Sequence, residues 1–401
     1  MQDGPAGDKD SAAPTKLWDA RFRPVSDAHR SLPLLRAMVD AVDHDLLQLI
    51  ARRMGLVGEI AATKREQGLR IRDPEREREV LADRTRLAEE LGLPRGEMES
   101  MFRLLLRASR DHQATLRTEV APNEHPRTVA IIGGHGKMGR LFAGMFADTG
   151  NPVLVADVDT ALTPAAAAAE ADVVVIGVPI DVTERVIAEV GPYVREDALL
   201  MDITSVKEAP VAAMLASTRA SVVGTHPMFG PSVHTLQGQR VVVCRARGDA
   251  WAEWLTHVLS ARGLLVTETT AAQHDRAMSI VQVLTHFQTQ VQGLTLARLG
   301  LPLEETMKFT SPVYLLELFV TARHFAQSPQ LYGPIEMRNP RSREVTEAFG
   351  VAARELADVI ARGDQPAFEA MFEEVRAFFG SFTTEALEQS SYLIDRIVER
   401  T

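Results

Sequence analysis

The chain has 401 residues, with 44 Lys+Arg against 54 Asp+Glu and a net charge of −10. At roughly 150 residues per domain that length means two or three domains, and the acidic balance excludes a global basic field for nucleic acid or an anionic membrane. The single cysteine, Cys244, excludes an internal disulfide or a thiolate metal site and points to a reducing, cytoplasmic setting.

Residues up to about Arg30 mix Gly, Pro, Asp and Ala without a period and read as a disordered tail. From Ser31 the texture changes: Leu35, Val39, Val42, Leu46 and Leu49 recur at steps of four and three, the seam of a long helix that packs on other helices. A second helix follows Asp73-Pro74, and a third follows Pro94 and runs to about Thr118. One helix that long does not fold back easily into a monomer, so a dimer with intertwined long helices is expected. Glu119 to Arg127 reads as a linker. Strand patterns then follow at Thr128–Gly134, Val153–Ala156, Val173–Val178, Leu199–Asp202, Val222–Gly224 and Val241–Val243, alternating with helical stretches. That alternation predicts a mainly parallel, doubly wound sheet, and after about Thr270 only helices are expected. The longest apolar runs, such as Val173 to Ile180, fall far short of the ~20 residues that span a bilayer, and Met1 to Asp10 does not read as a signal peptide.

Continuing the first helix's rhythm past Leu49 puts Arg53 and Lys64 in the apolar stripe, where cations are rarely buried unless paired. The second helix presents Asp73, Arg76 and Glu77 on one face, and the third leads through Phe102 and Leu105 to Ser109 and Gln113. A salt-bridge network of Arg53 and Lys64 with Asp73 and Glu77 is one reading. The surplus of Arg36, Arg53, Lys64 and Arg76 over the two acids supports another, a site for a dianionic small molecule.

The segment from Leu34 to Gln113 resembles the all-helical chorismate mutase family. The resemblance implies that Arg36 comes from a partner protomer, that Arg53 and Lys64 hold a carboxylate and the ether oxygen, and that Asp73 and Glu77 lie near the substrate hydroxyl. It also implies that Arg76 lines the site and that Ser109 and Gln113 complete it, with Gln113 facing the ether oxygen. A pericyclic rearrangement needs no nucleophile, only a compact substrate shape and donors for charge growing on the ether oxygen. Lys64 and Gln113 are the expected donors.

Thr128–Ile132 feeds Gly133-Gly-His-Gly-Lys-Met-Gly139 and then a helical run. As G-x-G-x-x-G, the fingerprint glycines are Gly134, Gly136 and Gly139, enclosing Lys137 and Met138 in a dinucleotide-binding turn. Asp157 ends the next strand, where a carboxylate takes the ribose 2′-hydroxyl and repels a 2′-phosphate, so NAD is favoured over NADP. Further on, His226 in Thr225-His-Pro-Met-Phe-Gly-Pro231, and Ser205 and Lys207 in Asp202-Ile-Thr-Ser-Val-Lys207, follow strands whose carboxyl ends present ligands in such sheets.

Together these segments resemble prephenate dehydrogenase, as do Gln273-His-Asp275, Thr285-His-Phe287, Ser311-Pro-Val-Tyr314 and Ala322–Gln327. The resemblance implies that His226 is the catalytic acceptor, that Ser205 hydrogen-bonds it, that Lys207 and Arg323 bind substrate, and that His286 borders the pocket and is linked to tyrosine sensing. With the mutase upstream, the chain resembles the bifunctional chorismate mutase/prephenate dehydrogenases of tyrosine biosynthesis, which implies substrates chorismate and prephenate, a homodimer, and tyrosine as a feedback inhibitor. Where those enzymes tend to carry an arginine after the SPxY tyrosine, this chain has Leu315. That departure leaves 4-amino-4-deoxychorismate and 4-amino-4-deoxyprephenate as alternative substrates; a non-catalytic, mutase-like regulatory domain is the other alternative. No metal site is expected. The expected architecture is a tail (1–30), an all-α three-helix mutase domain (31–118), a linker (119–127), an α/β Rossmann domain (128–270) and an all-α substrate and dimerisation domain (271–401).

Overall fold

A computed structural model describes residues 30–66, 73–116, 126–233 and 235–398. The expected tail and linker lie almost wholly outside the described residues. Two compact units divide the described residues, those up to Ile60 and those from Ala61 onward.

Helix α1 (Leu32–Glu66) has 35 residues, about 50 Å at 1.5 Å rise per residue. Its stripe of Leu35, Val39, Val42, Leu46 and Leu49 is uncovered among the described residues, each more than 40 % exposed. Helix α2 (Pro74–Glu90) begins where Asp73 caps it, the carboxylate accepting from Arg76 N at 3.0 Å, with proline in the first turn where a missing N–H costs nothing. Gly92, at φ +70°, closes it, and α3 (Arg95–Leu116) follows. The short connection makes the two antiparallel: Glu77, early in α2, meets Arg110, late in α3, at 2.7 Å.

The sheet elements run β1 (Val129–Ile132), α4 (Lys137–Ala147), β2 (Val153–Ala156), α5 (Pro164–Glu170), β3 (Val173–Ile176), α6 (Ile180–Val190), β4 (Leu199–Asp202), α7 (Glu208–Ser217), β5 (Ser221–Pro227), β6 (Arg240–Arg247), α8 (Asp249–Ala261) and β7 (Leu265–Thr269). Strand order is β2-β1-β3-β4-β5-β6-β7, parallel except between β5 and β6. Successive side chains of each central strand feed opposite cores. Ile131, Val175 and Met201 pack with Phe142, Phe146 and Leu255 of α4 and α8, while Ile132, Val174 and Leu200 pack with Ala167, Ile187 and Met214 of α5, α6 and α7. Strands buried on both faces read as continuous apolar runs, which is why β1, β3 and β4 are legible in sequence. Strand β7 was not expected; its Leu-Val-Thr-Glu-Thr is half exposed and carries no such run.

Only helices follow: α9 (Ala271–Met278), a π-helical turn (Ser279–Leu284), α10 (Thr285–Leu299), α11 (Leu303–Met307), α12 (Pro312–Phe325), α13 (Pro329–Arg338), α14 (Ser342–Arg362), α15 (Gln365–Phe379) and α16 (Phe382–Val398). Among the described residues no helix is long and apolar enough to cross a membrane.

Candidate functional site

The register Ile132↔Ile176↔Asp202↔Gly224 brings the carboxyl ends of β1, β3, β4 and β5 to one edge of the sheet, and the strand order reverses between β1 and β3. Ligands of open α/β sheets bind outside such an edge. A cavity of about 1060 Å³ lies there, bounded by Lys137 and Arg140 of α4, Ser205 after β4, His226 of β5, Gln282 of the π-helical turn, and His286, Arg323 and Tyr332 of the C-terminal helices. Three cations around one cavity give anions a reason to enter an acidic protein.

His226 sits within β5 rather than after it, because the antiparallel pairing His226↔Val242 extends the strand to Pro227. The residue is 2 % exposed, and burial, followed by the nearby His274 and Lys207, pushes its pKa well below the ordinary imidazole value. His226 Nδ1 lies 2.8 Å from His274 Nε2, and His274 Nδ1 lies 2.7 Å from Asp275 Oδ1. On the other side of the ring, Gln282 Nε2 approaches His226 Nε2 at 3.4 Å. Gln282 is delivered by the π-helical turn, a feature that often marks functional positions. Gln282 Oε1 and His286 Nδ1 are buried without hydrogen-bond partners among the described residues, so the cavity wall carries polar groups that a ligand can satisfy.

Two expectations fail here. Ser205 lines the cavity but makes no hydrogen bond to His226; the ring is held instead by His274, whose Gln-His-Asp segment carries no signal of that contact because it lies 48 residues away in sequence. Lys207 does not reach the cavity. It is fully buried in an ion pair with Asp202, with Thr204 bonded to the same carboxylate, because a charge at that depth needs its partner. Leu315, at 4 % exposure, is buried on α12 and is absent from the cavity wall. His286 and Arg323 lie on the wall as expected. Burial, then the charge of His324, pushes the His286 pKa down to about 4, and its ring meets Tyr332 edge-on at 4.8 Å.

The glycine loop is shaped as its fingerprint requires. Gly133 has φ +84°, and a Cβ on Gly139 would stand 2.3 Å from Gly133 O, so α4 closes on the loop only with glycine there. Gly136 caps α4 and points its N-terminus toward the loop, while Lys137 reaches the cavity. Asp157 follows β2, and its Oδ2 accepts from His135 N in the loop at 2.9 Å. A glycine-rich turn, a helix N-terminus and a carboxylate at the end of the second strand fit a dinucleotide.

In the helical region Ser109 and Gln113 are 5 % and 7 % exposed, and Gln113 Oε1 is buried without a hydrogen-bond partner among the described residues. Ser109 Oγ donates to Leu105 O at 2.6 Å. Lys64 and Arg53 are half-buried on α1, whereas Arg36 is exposed. Asp73 is the exposed cap of α2, and Arg76 lies in a surface pair with Glu79 at 2.9 Å rather than in a buried lining. Glu77 pairs with Arg110, an arginine the sequence reading passed over because it sits outside the seam's rhythm.

Residues 35–114 match the family Chorismate mutase type II, residues 153–266 the Prephenate dehydrogenase nucleotide-binding domain, and residues 270–374 the Prephenate dehydrogenase dimerization domain. A T-protein of Enterobacter agglomerans is 37 % identical over 368 residues, covering 90 % of this chain and 97 % of its own. A T-protein of Haemophilus influenzae is 34 % identical over 364 residues, covering 90 % and 96 %. Among solved structures, a prephenate dehydrogenase from A. aeolicus, crystallised with hydroxyphenyl propionate and NAD+, superposes at a TM-score of 0.54 with 19 % identity, over 63 % of this chain and 97 % of that one. The chain therefore belongs to the T-protein family, the bifunctional chorismate mutase/prephenate dehydrogenases, with the helical mutase region ahead of the sheet and its helical partner.

Proposed function

We propose that the chain rearranges chorismate to prephenate in residues 31–118 and then oxidises prephenate to 4-hydroxyphenylpyruvate and CO2 at the cavity bounded by His226, with residues 128–270 holding NAD+ and residues 271–401 closing the substrate side. The observation that carries the second step is the pairing of a neutral, buried imidazole with Arg323 across one cavity at the sheet edge.

When bound, NAD+ supplies a hydride acceptor for C4 of prephenate. Gly134, Gly136 and Gly139 would let its pyrophosphate approach backbone N–H groups, Lys137 and Met138 open α4 where it would lie, and Asp157 would take the ribose hydroxyls. Arg323 grips a substrate carboxylate, which a planar guanidinium does in bidentate fashion. His226 accepts the C4 hydroxyl proton at Nε2 as the C4–H bond breaks. The C1–carboxylate bond then breaks, its electron pair enters the ring, CO2 departs, and the proton held at Nε2 returns to the phenolic oxygen. His226 thus serves as a base and is restored within one turnover.

In the mutase region Arg36, Arg53 and Lys64 hold the carboxylates of a compact substrate, while Lys64 and Gln113 donate to the ether oxygen. Asp73 and Glu77 order the hydroxyl side, Ser109 completes the site from α3, and Arg76 lies at the rim. The uncovered stripe of α1 is closed by a second copy, which brings Arg36 of one protomer toward the site of the other. Tyrosine acts as an inhibitor at the His286 wall, and the single buried cysteine suits a cytoplasmic protein.

Purified protein given chorismate and NAD+ is expected to release 4-hydroxyphenylpyruvate, CO2 and NADH. Prephenate alone isolates the second step, and the 4-amino analogue serves as competitor. Faster turnover of the amino compound would replace prephenate as substrate; turnover of prephenate without consumption of chorismate would make the helical region regulatory. Calorimetric titration is expected to show tighter binding of NAD+ than NADP+, and the reverse order removes Asp157 from the ribose site.

A further inference from the structure

Asp275 holds its carboxylate at the N-terminus of α7: Oδ1 accepts from Lys207 N at 2.8 Å and Oδ2 from Glu208 N at 2.9 Å. Its own backbone carbonyl accepts from Asn339 Nδ2 at 2.8 Å, and His274 beside it is seated by a capping box between Thr270 and Gln273 at the start of α9. His274 and Asp275 are 2 % and 1 % exposed. Neither touches the cavity, yet they form an unbroken line from the backbone of α7 to the ring of His226.

The line has a direction. A carboxylate that already accepts two N–H bonds has no proton to offer, so the 2.7 Å contact with His274 Nδ1 requires the proton on that nitrogen. With the proton of His274 on Nδ1 alone, Nε2 presents a lone pair, and the 2.8 Å contact with His226 Nδ1 then has His226 as the donor. A neutral ring that donates from Nδ1 is bare at Nε2, the nitrogen facing the cavity and the amide of Gln282. We infer that His274 and Asp275 are positioning residues of the dehydrogenase, holding His226 in the Nδ1-protonated tautomer so that Nε2 is always ready to take the substrate's hydroxyl proton.

The relay also meets the charge that proton transfer creates. When Nε2 gains the proton, His226, 2 % exposed, becomes an imidazolium with Lys207 nearby and Lys137, Arg140 and Arg323 around the cavity. Asp202 is already committed to Lys207, and His286 is neutral above a pH of about 4. Asp275, through His274, is the carboxylate aligned with the new charge. No other residue in the described surroundings hydrogen-bonds His226 Nδ1. The C-terminal helices thereby contribute to a base that lies on the sheet, which makes their packing part of the chemistry.

The inference rests on the dehydrogenase reading, and its test is chosen to stand apart from it. The 15N resonances of His226, recorded on the full chain without substrate and assigned by comparison with His226→Asn, are expected to show a protonated Nδ1 and a bare Nε2; a protonated Nε2 overturns the inference whatever the protein turns over. Asp275→Asn can donate to His274 Nδ1 and so reverse the line. It is expected to lower kcat with prephenate on the order of 10²–10³-fold, leave KM within about threefold, and move the acidic limb of the kcat/KM profile to lower pH. His274→Leu is expected to lose a similar factor, while His274→Gln, whose Oε1 still accepts from Nδ1, recovers to within about tenfold of the parent. Equal losses in the Gln and Leu variants, or a fall in KM affinity with kcat unchanged, overturn the inference and leave the pair structural. If Asp275→Asn does not fold for want of its cap on α7, the tautomer and the two His274 variants still decide.

Discussion

The two regions of this chain solve the same problem, holding a dianion, by opposite means. In the dehydrogenase region the candidate groups converge within one chain: the sheet edge supplies His226, α9 supplies His274 and Asp275, and α12 supplies Arg323. Its key atoms are buried, and the field around them is set by near neighbours. In the mutase region the groups are spread along helices whose apolar stripe is more than 40 % exposed from Leu35 to Leu49, and Arg36 stands in solvent. A sheet gathers residues that are far apart in sequence, whereas a long helix distributes them along a line and needs another helix to bring them together.

The largest test of this contrast is His226→Asn, expected to reduce dehydrogenase kcat by about 10³-fold with prephenate KM little changed and the mutase rate intact, measured by steady-state kinetics on one preparation. A change confined to KM would make His226 a binding residue. Lys64→Ala is the counterpart in the helical region: mutase turnover falls on the order of 10²–10³-fold, and prephenate oxidation persists. Loss of both activities together would mean that the two sites are not separable.

Acid should separate the regions next. The folded pKa of His286 is about 4 against 6.5 for the unfolded chain, so between those values the unfolded state binds the extra proton. The stability that His286 contributes is full above pH 6.5 and is lost as pH falls below it, about 2 kcal/mol between pH 7 and pH 5. His226 and His324 shift the same way through burial and add to the loss. Urea midpoints at the two pH values read it directly, and His286→Gln should flatten the dependence. The smallest expected effect is that of Leu46→Glu, which puts a charge in the uncovered stripe of α1. Mutase activity should fall about tenfold and become concentration-dependent while dehydrogenase activity stays; full retention of the mutase rate on dilution would mean that one chain suffices.

Much of this was legible before any coordinates. The periodicity of Leu35 to Leu49 marks a long helix, the caps at Asp73 and Pro74 mark the next, and the buried strands announce themselves as apolar runs ending in Gly133 or Asp202. What escaped is the partner of His226. The Gln273-His-Asp275 segment was visible as a match, but its role depends on α9 crossing the sheet edge to reach a residue 48 positions earlier. Lys207 was misread for the same reason, since a lysine after a strand looks like a ligand until Asp202 is seen to bury it. Arg110 and β7 were missed because neither follows a strong period.

The sequence by itself determined most of the elements and their order and the glycine loop with its acid at Asp157, and it marked His226 and Arg323 as candidates, because propensity, capping and loop chemistry are local. Tertiary structure alone decided which side chains share a cavity and which of them lie within hydrogen-bond reach of one another. Burial at 2 % exposure, a neighbouring imidazole and a carboxylate on a helix N-terminus are products of packing between distant segments, and burial first of all pushes the His226 pKa well below the ordinary imidazole value.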